Sequence, residues 1–100
     1  MKIAMFTSAE AYAEYNRGQA EAIRNNGLRL MKEELNKALN DEDTKVKWLS
    51  MNGLYADDID DLYRKVVWED HIRWMRDYIK SLERKIRKLE RDADKALANA

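Results

Sequence analysis

The chain has 100 residues, 45% hydrophobic and 38% charged, which suits one domain with a small hydrophobic core. Basic and acidic side chains number 19 each, so the chain as a whole is not expected to attract nucleic acid or an anionic membrane. Without cysteine there is no disulfide framework and no thiolate zinc site. No stretch approaches about 18 apolar residues, so a soluble, cytoplasmic protein is expected. Proline is absent and glycine occurs three times, which predicts a mainly α fold.

The first predicted helix covers about residues 8–25. Thr7 as N-cap and Glu10 at the third helical position form a capping box, which satisfies two backbone amides at the start of a helix. Tyr15, Gly18 and Ala22 fall close to one line, where small side chains would let another helix approach closely. Gly27 is then a candidate C-cap, because glycine adopts the left-handed conformation without penalty.

A helical stripe follows this glycine. Leu28, Met31, Leu35 and Leu39 repeat at spacings of three and four, which is the period of one helix face. The stripe is either a second helix or, if Gly27 is tolerated inside a helix, a continuation of the first. In both cases we expect an N-terminal helical pair or a long helical segment.

Two structures are compatible with residues 45–56. Lys45, Val46, Lys47 and Trp48 alternate as a strand would, and the Asn-Gly pair at 52–53 favours a two-residue turn, so a small β-hairpin is one interpretation. A short helix that ends at the same glycine is the other. A hairpin of this size would need to pack on the helices to be stable.

A long helix is predicted over residues 57–98, with Asp57 or Asp58 as its cap. No helix breaker interrupts it, and its length would be about 60 Å, roughly twice the diameter of a small domain. The expected organisation is therefore a single domain, residues 1–100, with an N-terminal helical cap region at 1–56 and the long helix at 57–98.

From about residue 72 the long helix carries a seven-residue repeat that is typical of a coiled-coil seam. The same pattern would serve a helix that packs within one chain, so the sequence leaves a homodimer and an intramolecular partner open. The seam consists of Ile72, Met75, Ile79, Leu82, Ile86 and Leu89, and Ala93 with Ala96 extends it.

A second apolar row precedes and overlaps the seam, and we call it the aromatic ridge: Trp68, His71, Trp74 and Tyr78. The row widens the apolar face of the helix beyond what a two-stranded seam requires. We therefore predict that residues 59–79 are the spine on which the N-terminal helices and the Trp48 segment pack.

The single histidine of the chain invites a catalytic interpretation. On a helix, however, the neighbours of His71 at three and four residues are Trp68, Val67, Trp74 and Met75, and none can orient an imidazole. The acidic run at 57–61 lacks the spacing of a calcium loop. No catalytic residue, metal ion or cofactor is predicted, and a small enzyme centred on His71 is the least favoured hypothesis.

A basic row occupies the outward positions of the same heptads: Lys80, Arg84, Arg87, Lys88 and Arg91. Residues 71–91 hold eight basic and three acidic side chains, whereas residues 57–70 hold two and six. Such a face is a solvated exterior, a docking site for an acidic protein, or a contact for nucleic-acid phosphates.

These features predict a non-enzymatic protein–protein interaction module that self-associates, with a homodimer expected, and acts as an adaptor or inhibitor on a partner's surface. The alternative is a helical dimer that binds nucleic acid through the basic exterior. No interaction with a membrane is predicted, because the basic run lacks a broad apolar face. An origin in a phage or mobile element is one hypothesis for a protein of this size.

Overall fold

The computed structural model describes residues 8–99. Four α-helices cover most of them: α1 (Ala9–Ile23), α2 (Arg29–Asn40), α3 (Glu42–Met51) and α4 (Asp61–Ala98). A π-helical segment, Arg24–Leu28, connects α1 to α2, and the described residues contain no strand. The mainly α fold is confirmed, with N-terminal helices that pack on a long C-terminal helix.

The chain forms two compact units. The terminal unit contains residues 8–29 and 80–99, so it pairs α1 and the π-helical segment with the second half of α4. The central unit contains residues 30–79, which comprise most of α2, all of α3 and the first half of α4. The two units do not coincide with the predicted regions 1–56 and 57–98, because each unit contains residues from both regions.

Helix α1 begins at a side-chain cap. The Ser8 hydroxyl accepts a hydrogen bond from the Ala11 amide at 3.1 Å, and the Ser8 backbone is extended. This is the role of an N-cap serine, which satisfies an amide that has no partner inside the helix. The cap lies one residue after the predicted one, and Thr7 itself lies outside the described residues.

The predicted C-cap at Gly27 is wrong. Gly27 lies inside the π-helical segment, and among residues 8–99 only Gly53 has a positive φ. In a regular α-helix, the eight steps from Ala20 to Leu28 would turn the chain through two full turns and about 80° more. Leu28 would then lie off the buried face that contains Ala20. A π turn contains more residues, which reduces this drift and leaves both side chains buried.

Residues 45–51 are helical, so the hairpin interpretation is wrong. The Asp41 carboxylate caps α3 by accepting hydrogen bonds from the Asp43 amide at 3.2 Å and the Thr44 hydroxyl at 2.7 Å. At the other end, Gly53 has φ 71°, and the Leu54 amide donates to the Leu49 carbonyl at 2.9 Å. This is a Schellman cap, so the Asn-Gly pair ends a helix here and does not join two strands.

Helix α4 begins later than predicted. The cap is Asp60, not Asp57 or Asp58, and its carboxylate accepts a hydrogen bond from the Tyr63 amide at 2.8 Å. Arg64 fixes the preceding loop, because its guanidinium donates to the carbonyls of Leu54 and Ile59 and forms an ion pair with Asp61. The helix has 38 residues and continues through both units.

The terminal unit is an antiparallel helix pair with small side chains between the helices. Ala13, Ala20 and Ala93 are at most 1% exposed, and Ile86 is also buried. At the surface, Arg17 of α1 forms an ion pair with Asp94 of α4, and Arg24 of the π-helical segment forms one with Glu90 of α4, both at 2.9 Å. The hydrogen bond to Glu90, together with the smaller effect of Glu21, raises the pKa of the Arg24 guanidinium.

The sequence predicted the wrong face of α1 for close packing. Tyr15, Gly18 and Ala22 are exposed, and no atom would lie within 4 Å of a Cβ at Gly18. The buried face of α1 consists instead of Tyr12, Ala13, Asn16 and Ala20.

The central unit has a larger hydrophobic core. Its buried members come from α2, α3, the loop after α3 and α4, and Leu49 is 2% exposed. Met31, Leu35, Trp48, Ile59 and Val67 pack around this core. The buried members are Ala38, Leu49, Leu54, Trp68, Ile72 and Met75.

Candidate protein-binding surface

The structure brings Trp48 of α3 onto the aromatic ridge of α4, as the sequence predicted. The Trp48 ring stacks on the His71 imidazole, with centroids 4.1 Å apart and planes inclined by 17°. It also meets the edge of Trp68 at 5.6 Å. Trp68 is 9% exposed and belongs to the core, so it connects the ridge to the core.

The ridge continues outward as a column of nearly parallel rings. His71 and Trp74 have centroids 6.2 Å apart and planes 8° apart, and Trp74 and Tyr78 are 5.4 Å and 5° apart. The spacing of three and four residues places successive rings on the same side of α4. Stacking of this kind favours the observed ring orientations by about 0.5–1.5 kcal/mol per pair.

Two rings of this column reach the solvent. Trp74 is 55% exposed and Tyr78 is 41% exposed, although both are large apolar side chains. Exposed tryptophan in a contiguous apolar area is unusual for a surface without a partner. We call the surface formed by Trp48, Met51, His71, Trp74 and Tyr78 the aromatic patch.

Met51 belongs to this patch through Trp48. Both side chains line an open depression of about 240 Å³ on α3, and Met51 is 81% exposed. The remaining residues that line this depression are Asp41, Asp43, Thr44 and Lys47. Met51 was missing from the predicted site, because its position next to Trp48 depends on a helix that the sequence left undecided.

Carboxylates outnumber basic side chains around the patch. Asp41 and Asp43 line the depression on α3, while Asp70 and Asp77 flank Trp74 at four residues before and three after. Asp70 is in an ion pair with Arg73 at 2.8 Å. The central unit holds eight basic and twelve acidic side chains, so its net charge is −4.

His71 is a packed ring in this surface. Burial lowers the pKa of its imidazole below 6.5, because the half-buried site disfavours the charged form. Among the described residues, no carboxylate forms an ion pair or hydrogen bond with it. Its environment suits stacking, and it lacks the orienting partner that a catalytic base usually has.

The predicted seam lies inside the two units. In the central unit, Ile72, Met75 and Ile79 are at most 8% exposed. In the terminal unit, Ile86, Ala93 and Ala96 are buried, and Leu82 and Leu89 are half-buried. The question that the sequence left open is therefore answered within one chain: the chain's own helices cover the seam.

The basic row lies on the exposed side of α4 in the terminal unit. Lys80, Arg84, Arg87 and Arg91 are exposed, and Lys88 is exposed but forms an ion pair with Asp92 at 3.0 Å. The row and the aromatic patch belong to different units, so each is a separate candidate surface.

Comparisons with protein-family models, curated proteins and solved structures found no match to this chain. Within residues 8–99, no group of three or more histidine, cysteine, aspartate or glutamate side chains is arranged to hold a metal ion. None of the helices in that range has the length and apolar character needed to cross a membrane.

Proposed function

We propose that this protein is a protein-binding module and that the aromatic patch is its binding surface. The observation that carries the proposal is the exposure of Trp74 and Tyr78, at 55% and 41%, in a column of stacked rings. In this role the protein acts as an adaptor or as an inhibitor that occupies a partner's surface, and a cytoplasmic location remains part of the proposal.

The stacked geometry favours binding because it lowers the entropic cost of association. Free side chains lose about 0.5–1.5 kcal/mol each when an interface immobilises them. Trp74 and Tyr78 already stack on neighbouring rings, so binding is expected to cost them less freedom than it costs unstacked side chains. Tryptophan and tyrosine are also the residues that most often dominate interface energies.

The charge around the patch indicates the chemistry of the partner. Four carboxylates lie around the apolar centre with two basic side chains, Lys47 and Arg73, so the surroundings of the patch are negative on balance, in a unit of net charge −4. The four carboxylates are Asp41, Asp43, Asp70 and Asp77. A complementary segment has an apolar stripe with lysine or arginine beside it. The proposed partner is therefore a protein that presents a basic amphipathic helix.

The first test uses a defined probe. A helical peptide of leucine, alanine and lysine with one apolar stripe is titrated against the protein by calorimetry, and the same peptide with glutamate in place of lysine is the reference. We expect the lysine peptide to bind and Trp74→Ala to weaken binding at least tenfold, which is about 1.4 kcal/mol.

Leu62→Ala is the matched control. Leu62 is 69% exposed on the same helix but is outside the patch, so its truncation should leave both the fold and peptide binding unchanged. Circular dichroism checks that each variant is folded. Equal binding by wild type and Trp74→Ala, or equal loss in Leu62→Ala, would contradict the proposed surface.

Self-association is a separate part of the proposal. Because the chain's own helices cover the seam, we propose that a second copy binds at the aromatic patch, where Trp74 and Tyr78 are exposed. Mass measured in solution across protein concentration distinguishes monomer from dimer. A wild-type dimer that Trp74→Ala converts to a monomer would support self-association through the patch, and a monomer at all concentrations would exclude it.

A further inference from the structure

Four cations of the terminal unit form a single exposed row without a carboxylate partner. Lys80, Arg84, Arg87 and Arg91 follow one another at intervals of four, three and four residues, so they lie within about 60° of one another around α4. Among residues 8–99, none of the four forms an ion pair or a side-chain hydrogen bond. At 1.5 Å per residue, the row is about 17 Å long.

The carboxylates in the same stretch are already engaged elsewhere. Glu90 binds Arg24, Asp92 binds Lys88 and Asp94 binds Arg17, at 2.9 to 3.0 Å. Glu83 also has an interaction partner. The ten basic and seven acidic side chains of residues 8–29 and 80–99 therefore leave a net charge of +3, with unpaired cations concentrated on one face.

The row has no apolar anchor. Among residues 80–99, no large apolar side chain is exposed, whereas α4 in the central unit exposes Trp74 and Tyr78. Protein interfaces draw most of their energy from buried aromatic and aliphatic side chains, which this face lacks. The phosphate backbone of a nucleic acid, by contrast, is bound mainly through charge when its sequence is not read. Three of the four cations are arginines, whose guanidinium groups match phosphate oxygens.

We infer that this row, Lys80, Arg84, Arg87 and Arg91, binds the phosphate backbone of a nucleic-acid duplex without reading its sequence. Its length of about 17 Å corresponds to about five base-pair steps along the axis of a duplex, at about 3.4 Å of rise each. Because residues 80–99 expose these cations and no large apolar side chain, we expect electrostatic contacts to the backbone to supply the binding energy. This binding goes beyond the proposed function, since it uses a different unit and a different class of partner.

The test is fluorescence anisotropy with a labelled short DNA duplex, an unrelated second sequence, and an RNA duplex. With four phosphate contacts, the affinity should fall about 150-fold between 50 and 200 mM monovalent salt. The double variant Arg84→Gln/Arg87→Gln should bind more weakly, and its affinity should fall only about 12-fold over the same range, because two contacts remain.

The double variant Lys37→Gln/Lys65→Gln is the matched control. It removes the same charge from exposed positions of the central unit, so it should retain the wild-type salt dependence. Both DNA sequences should bind equally, and DNA and RNA within a fewfold of each other. Trp74→Ala should bind duplex as wild type does, which separates this inference from the proposed function.

Three results would overturn the inference. One is no binding of folded protein to any duplex at 50 mM salt. Another is an equal effect of the row variant and the control variant. The third is tighter binding of a helical glutamate-rich peptide than of duplex at the same salt, which would assign the row to an acidic protein.

Discussion

The helices of the two units pack through different kinds of side chains. The central unit buries large side chains, including Trp68, Leu49 and Met75, and still leaves aromatic rings in contact with solvent. The terminal unit has its most deeply buried side chains in Ala13, Ala20 and Ala93, and surface ion pairs join its helices. The first is acidic and the second is basic.

Because of this difference, the two units are expected to contribute unequally to the free energy of unfolding. Burial of alanine contributes little hydrophobic free energy, since the gain scales with apolar area, at about 25 cal/mol per Å². Exposed ion pairs add little. We therefore expect the central core to dominate the free energy of unfolding, while the terminal unit opens more readily and its amides exchange hydrogen faster.

The largest expected effect is from Leu49→Ala. This side chain is 2% exposed in the central core, and its removal should lower the free energy of unfolding by about 3 kcal/mol, from lost burial and the cavity left behind. Urea unfolding followed by circular dichroism measures it. Leu39→Ala, the same change at a side chain that is 49% exposed, should cost less than about 1 kcal/mol.

A smaller effect is expected from Ala93→Leu in the terminal unit. Ala93 is 0% exposed, so a larger side chain would push the helices apart and destabilise the fold by about 1–3 kcal/mol. Ala22→Leu, on an exposed part of α1, should change stability by no more than about 0.5 kcal/mol. Equal unfolding midpoints for the two variants would show that the alanine interface is not closely packed.

The smallest expected effect is the titration of His71. Because burial lowers its pKa in the folded state below 6.5, the unfolded chain binds the proton first as pH falls. Neutral His71 therefore makes its full contribution to the free energy of unfolding above about pH 6.5. That contribution is lost as the pH falls through the pKa of the folded state. Urea midpoints between about pH 7.5 and 5.5 measure this, since a histidine in the unfolded chain, with a pKa of about 6.5, takes up its proton in that range. His71→Phe, which keeps a ring in the column, should remove this part of the pH dependence, and an unchanged profile would contradict the assignment.

Much of the fold was predictable from hydrophobic periodicity. The mainly α class, the long C-terminal helix and the packing of Trp48 on the ridge follow from spacings of three and four residues over many turns. These signals are strong because each repeat adds to the last. The same periodicity could not distinguish a partner in this chain from one in a second copy, since both require the same apolar stripe.

The short segments were harder to predict, because few residues decide them. Two alternating pairs at 45–48 resemble a strand, but the caps provided by Asp41 and Gly53 favour a helix. Gly27 has no left-handed conformation, because the π-helical segment continues the helix through it. The position of Met51 in the site depends on these local outcomes, so it was not foreseen.

The three tryptophans of the central unit make its surface observable by spectroscopy. Trp68 is buried, Trp48 is half-buried and Trp74 is 55% exposed, so their emission maxima should be distributed from blue to red. A ligand that covers Trp74 would shift the red component to shorter wavelength, while unfolding would shift the emission of the buried Trp68 to longer wavelength. The protein therefore contains an intrinsic optical probe that distinguishes occupancy from denaturation without a label.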